Sequence, residues 1–112
     1  MTHYKLLVMT QPKPGREAEY DKWYDEVHLV EMCQVPGFKS AQRFRLRPTP
    51  KAEAGGVEYV SPGLDYLAIY EVETDDLDAL LRTLGERLAS MTLSDSTVPR
   101  VMSEFFAPRN TW

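Results

Sequence analysis

An α+β domain built on an antiparallel sheet is what this 112-residue sequence predicts. Two stretches of strand length carry dense apolar residues, two others repeat apolar residues at the 3.6 period of a helix, and the order of periods along the chain is strand, helix, strand, strand, helix, strand. The length fits one domain spanning residues 1–112, with one core.

The first strand is residues 3–11, where Leu6-Leu7-Val8-Met9 runs into Pro12 and Pro14. From Gly15 the period changes. Tyr20, Trp23, Tyr24 and Val27 fall at i, i+3, i+4 and i+7, the stripe of a helix that Pro36-Gly37 stops. Residues 38–47 then alternate, with Phe38, Ser40, Gln42, Phe44 and Leu46 on one side and Lys39, Ala41, Arg43, Arg45 and Arg47 on the other. This reads as a strand near a sheet edge, its basic face solvated.

Pro48, Pro50, Gly55, Gly56, Pro62 and Gly63 make residues 48–64 a mobile loop, long enough to act as a lid, with a small strand at Val57 to Val60. Asp65 to Glu73 is the third strand, with Leu67 and Ile69 on one face and Tyr66, Ala68, Tyr70 and Val72 on the other. Thr74 caps a second helix whose positive end suits Asp75 and Asp76. Leu77, Leu80, Leu81, Leu84, Leu88 and Met91 draw its core stripe. Residues 100–107 form a last strand, before an aromatic tail ending at Trp112. This order is the split βαββαβ pattern of a ferredoxin-like fold. Its two helices cover one sheet face, yet the first and third strands are apolar at both parities. A second copy packed face to face about a twofold axis, a homodimer, is the simplest cover.

A net charge of −4 and a pI near 5.1 offer no positive field for nucleic acid. Cys33 is the lone cysteine and reads as a small apolar filler, and no stretch approaches the roughly 18 apolar residues of a membrane span. The expectation is a cytoplasmic chain with no nucleic-acid or membrane partner. His3, His28 and Cys33 lack metal-ligand spacing, so neither a metal nor a cofactor is expected.

One histidine stands among aromatics in Trp23-Tyr24-Asp25-Glu26-Val27-His28-Leu29. On a helical wheel with Tyr20 at zero, His28 falls at about 80 degrees, the border of the stripe. There it can look into the seam between helix and sheet and still meet a ligand. An imidazole titrates near neutral pH, so His28 is a candidate general base or acid. The plain alternative is a core-edge histidine bonded to a backbone carbonyl. Asp25 and Glu31 are the carboxylates within reach, and either would raise the imidazole pKa. Tyr20 and Tyr24 on the helix, facing Tyr66 and Tyr70 on the third strand, would wall a pocket for a flat or aromatic ligand, or pack as ordinary core.

The segment Tyr20-x-x-Trp23-Tyr24-x-x-x-His28-Leu29, with Val35-Pro36-Gly37-Phe38 and Ala41-Gln42-Arg43-Phe44, resembles EthD-like proteins of the dimeric alpha+beta barrel superfamily. Where that group commonly has proline after His-Leu, this chain has Val30, which lets the helix run longer. The resemblance implies a homodimer with a cavity between helices and sheet in each subunit and a functional His28. The superfamily includes polyketide cyclases, cofactor-free monooxygenases, muconolactone isomerase and haem-dependent members, so the fold does not choose the reaction.

The expected function is a cofactor-independent cyclase, isomerase, dehydratase or lyase, moving a proton next to the carbonyl of a hydrophobic aromatic or polyketide-like compound. His28 and Tyr24 would be catalytic. Tyr20, Trp23, Tyr66 and Tyr70 would bind the substrate, and Arg43 would hold an anionic group if its face turns to the cavity. The alternatives are a cofactor-free monooxygenase and a non-catalytic small-molecule-binding or stress protein.

Overall fold

The computed structural model describes residues 1–51 and 55–110. The chain runs β1 (Thr2–Thr10), α1 (Glu17–Trp23), a π-helical turn (Tyr24–His28), α2 (Leu29–Met32), β2 (Phe38–Arg45), β3 (Tyr66–Thr74), α3 (Leu77–Leu88) and β4 (Met102–Phe106). The four strands pair antiparallel in the order β2-β3-β1-β4. Because α1, the π turn and α2 follow one another without a gap, the topology is the ferredoxin-like βαββαβ of an α+β protein.

Period-2 alternation divides β1 and β3 between two environments. Leu6, Ala68, Tyr70 and Val72 face the helices and are almost fully buried, and Tyr20, Tyr24, Met32, Leu80 and Leu84 close over them. Leu7, Met9, Leu67 and Ile69 point the other way and stay half-buried. The molecule is a slab of 43 × 41 × 20 Å, and the helices among the described residues pack on one face of the sheet. No helix among the described residues is long and apolar enough to cross a membrane.

Strand β2 departs from the simple alternation of its sequence. Phe38 stands opposite Val72 and Ser40 opposite Glu71, so Lys39 is an extra residue in a bulge. One inserted residue reverses the parity of everything after it. Phe38 and Arg43 therefore share the helix-covered face, and Phe44 turns to the open face at 41% exposure. The expectation of a solvated basic face fails for Arg43 for this reason.

Asp76, not Thr74, caps α3: its Oδ1 accepts the Ala79 N–H at 3.0 Å, while the Thr74 hydroxyl is taken up by the Asp76 backbone. The core stripe of α3 is also narrower than its leucines suggest, since Leu80 and Leu84 are buried while Leu81 and Leu88 are exposed. Val57 to Val60 form no strand, Val57 making a single bridge. The described parts of 48–63 are exposed, and Trp112 lies outside the described residues.

Two loops fix the first helix to the sheet. At Gly37, with φ of +97°, the chain turns out of the helix, and its carbonyl accepts the Glu73 N–H at 2.9 Å. The segment after α3 returns along β1. Ser96 O accepts the Lys13 N–H at 2.7 Å, Val98 N–H donates to Gln11 O at 2.8 Å, and Arg16 pairs with Asp95 at 2.6 Å.

Candidate functional site

The π turn decides where the histidine goes. Its signature is the Leu29 N–H bonding to the carbonyl of Tyr24, five residues back. In an α-helix, positions five apart point about 140 degrees away from each other, whereas a π turn brings them nearly into line. Trp23 and His28 are five apart, and their rings stack at 4.7 Å with 20° between planes. The edge contact of Tyr24 on His28, at 5.1 Å and 85°, holds the imidazole on a second side. Trp23 and His28 remain half-buried, while Tyr24 beneath them is 2% exposed.

Tyr24 belongs to a run of aromatic contacts across the helix–sheet seam. Tyr20 meets Tyr24 at 5.4 Å and Tyr66 at 5.1 Å, both edge to face, and Tyr70 meets Phe38 at 5.7 Å. Tyr20, Tyr24 and Tyr70 are too buried to wall an open chamber; their rings fill the space they share. Tyr66 lines an open cleft. That cleft of about 450 Å³ is lined by Asp21, Asp25, Arg43, Phe44, Arg45 and Tyr66.

Arg43 closes the seam from β2. Its guanidinium lies 4.5 Å from the Tyr24 ring centre, 5.2 Å from Tyr20 and 5.6 Å from Tyr66, within cation–π range. One nitrogen bonds Asp25 at 2.8 Å and another Asp21 at 2.9 Å. Two carboxylates of its own chain thus occupy the fork that sequence reasoning offers to an anionic ligand. Asp21 and Asp25 sit four apart on one helix face, and that spacing is the sequence signal that could have found them.

Neither carboxylate near His28 orients it. Asp25 is spent on Arg43, and both oxygens of Glu31 accept the backbone N–H of Thr92, at 3.1 and 3.2 Å. The imidazole pKa moves opposite to expectation: burial lowers it below the ordinary 6.5 and outweighs the charge of Glu31. Burial pushes the Tyr24 phenol up to about 12, and raises that of Tyr70, next to Tyr24, as well. A neutral imidazole therefore stands beside phenols that stay protonated, a base next to hydrogen-bond donors. Among the described residues, Nδ1 of His28 and the hydroxyl of Tyr70 are buried polar atoms that find no hydrogen-bond partner.

By contrast, the Tyr20 hydroxyl is satisfied by Thr10. Burial raises the Cys33 thiol pKa, so the thiol stays protonated and inert. Among the described residues, no group of three or more histidine, cysteine or acidic side chains is placed to hold a metal ion.

No protein-family model and no curated protein matches the chain. Solved structures do. A protein of Shewanella loihica PV-4, described as a candidate monooxygenase, superposes with a TM-score of 0.58 at 14% identity, covering 98% of this chain and 97% of that one. At3g17210 of Arabidopsis thaliana gives 0.57 at 11% identity over 97% and 98% of the two chains. An ethyl tert-butyl ether D (EthD) family protein of Bacillus halodurans C-125 gives 0.50 at 12% identity over 96% and 99%. At such identities the likeness establishes the fold, which this chain shares end to end with an EthD family protein.

Proposed function

We propose that the chain is a cofactor-independent enzyme that moves a proton next to the carbonyl of a hydrophobic, aromatic or polyketide-like compound. The observation that carries the reading is the pair of buried polar atoms without partners among the described residues, His28 Nδ1 and the Tyr70 hydroxyl, each on a side chain next to Tyr24. Such atoms cost about 1–3 kcal/mol each when left unsatisfied, and a ligand's polar groups are what would satisfy them. His28, neutral at pH 7, takes the proton from carbon. The electron pair moves onto the carbonyl oxygen; entry of the substrate parts the packed rings, and a protonated Tyr24 or Tyr70 then donates to that oxygen as its charge develops. Return of the proton to a different carbon gives isomerisation, whereas attack of the enolate carbon on a second carbonyl of the same compound, whose oxygen then takes the proton from His28, closes a ring. Trp23, Tyr20 and Tyr66 supply the aromatic surround, and Arg43 holds that surround together.

The enzyme works as a homodimer in this reading. A sheet with helices on one face leaves Leu7, Met9, Leu67 and Ile69 half-covered, and the exposed Val57, Tyr59 and Val60 extend from the same subunit with no core of their own.

The test is deuterium incorporation at the α-carbon of a panel of aryl alkyl ketones in D2O, followed by NMR. The native chain accelerates exchange for at least one ketone, and His28→Ala abolishes the acceleration. Equal exchange by native and His28→Ala chains would overturn the reading. Ketone binding without exchange by either chain would point to a sequestering protein. A second reading, cofactor-free oxygenation, is favoured by the fold shared with the Shewanella candidate monooxygenase. It predicts oxygen uptake with an anthrone or quinol, dependent on His28.

A further inference from the structure

We infer that Glu31 is a positioning residue for His28, acting through Thr92 and Trp23. The inference rests on the role given to His28 above. A closed circuit of contacts carries it. Glu31 accepts the Thr92 N–H with both carboxylate oxygens, at 3.1 and 3.2 Å. The carbonyl of the same Thr92 accepts the Trp23 indole N–H at 2.9 Å, and the indole lies flat on His28 at 4.7 Å. Glu31 and Trp23 flank His28 on one helical run, three residues after it and five before. Thr92 belongs to the segment that follows α3, so the circuit closes across the fold.

The circuit replaces a missing hydrogen bond. A working imidazole is commonly oriented by a carboxylate or carbonyl on one ring nitrogen, but Asp25 bonds Arg43 and Glu31 bonds Thr92 in place of the His28 ring. Its tilt is set by the Trp23 face and the Tyr24 edge. Tyr24 is fixed by burial, whereas Trp23 is half-buried, and the bond to Thr92 is what pins its rotation. Thr92 is itself exposed, with Glu31 holding its amide. The segment keeps its other anchors, Lys13 on Ser96, Gln11 on Val98 and Arg16 on Asp95, so loss of the Glu31 contact frees Thr92 without detaching the segment.

Glu31 also acts on His28 by charge, and two substitutions separate the effects. Glutamine keeps an oxygen that accepts the Thr92 N–H but removes the charge; alanine removes both. The readout is the NMR titration of the His28 ring protons and their upfield displacement by the Trp23 ring. In Glu31→Gln the displacement persists and the imidazole pKa falls further below its native value, because a negative charge has gone. In Glu31→Ala the displacement is lost, and the pKa lies above that of the glutamine variant as the loosened indole admits water. Trp23→Phe, which keeps the Glu31 charge but has no N–H to give Thr92, raises the pKa above its native value.

Retention of the upfield displacement in Glu31→Ala would overturn the inference, as would identical titrations of the glutamine and alanine variants, which would reduce Glu31 to a charge. These resonances report geometry whether or not the protein turns over a substrate. Failure of the ketone assay would therefore refute the proton-transfer reading and leave the circuit standing. Where exchange is catalysed, its rate falls in Glu31→Ala and is restored in Glu31→Gln.

Discussion

Tyr20 and Tyr70 are chemically identical and almost equally buried, yet the structure gives them opposite energetic roles. The Tyr20 hydroxyl is bonded to Thr10, a threonine only 6% exposed, whereas the Tyr70 hydroxyl is unpartnered. Removing one member of a buried pair strands the other, while removing an orphan relieves a cost. Tyr20→Phe is expected to lower stability by about 1–2 kcal/mol and Tyr70→Phe to raise it by about 1 kcal/mol, read as shifts of the urea midpoint. Slower ketone exchange in the stabilised Tyr70→Phe chain would mark the hydroxyl as kept for chemistry. The two histidines also part company with pH. His28 has a depressed folded pKa, so its contribution is intact above 6.5 and is lost as pH falls from 6.5 through the folded value, the unfolded chain protonating first. His3, raised by its bonds to Glu71 and Glu73, does the reverse: it favours folding below 6.5, and this fades as pH rises through the raised value. Urea titrations from about pH 5 to about pH 8 should lose the acid-side fall in His28→Gln and the alkaline-side fall in His3→Gln.

At the scale of elements, single-residue irregularities position the site. The apolar spacing of Tyr20, Trp23, Tyr24 and Val27 announces a helix in this region, but a wheel of uniform 3.6 period places His28 one turn beyond Tyr24 and far from Trp23. The π turn closes that gap. In β2, alternation identifies the strand, while the bulge at Lys39 decides that Arg43 faces the helix. Neither irregularity is legible in residue pattern, because an added residue conserves local composition and changes only phase. The turn at Gly37 is legible, since proline followed by glycine ends a helix. A Cβ at Gly37 would sit 2.7 Å from Cδ1 of Leu80 and 3.0 Å from the Glu73 carbonyl, at a positive φ. Gly37→Ala is therefore expected to cost about 1–3 kcal/mol, measured by thermal melting.

Over the whole molecule, the decisive feature is a sheet with two different faces. On the open face, Leu7, Met9, Leu67 and Ile69 form an apolar centre, and His3, Lys5, Glu71 and Glu73 gather at one end as an ion-pair cluster. A 20 Å slab has room for one helical layer on the sheet and none on the far side. Light scattering coupled to size exclusion should report a dimer for the native chain, and a monomer with a native-like circular dichroism spectrum for Ile69→Lys. A lysine there meets solvent in the monomer but an apolar partner face in the dimer. An unchanged dimeric mass in Ile69→Lys would place the contact elsewhere.

The sequence by itself determined the element types, their order and therefore the topology, because hydrophobic period and helix-stopping residues are local properties that survive in any context. It also singled out His28, Tyr24 and the neighbouring rings, since an ionisable group at the border of an aromatic stripe is visible in the spacing. Tertiary structure alone decided the phase of β2, the stacking of Trp23 on His28, the consumption of Arg43 by Asp21 and Asp25, and the diversion of Glu31 to Thr92. Each of these depends on which side chain a distant segment presents. Thr92 lies 61 residues from Glu31, and no local pattern encodes that meeting.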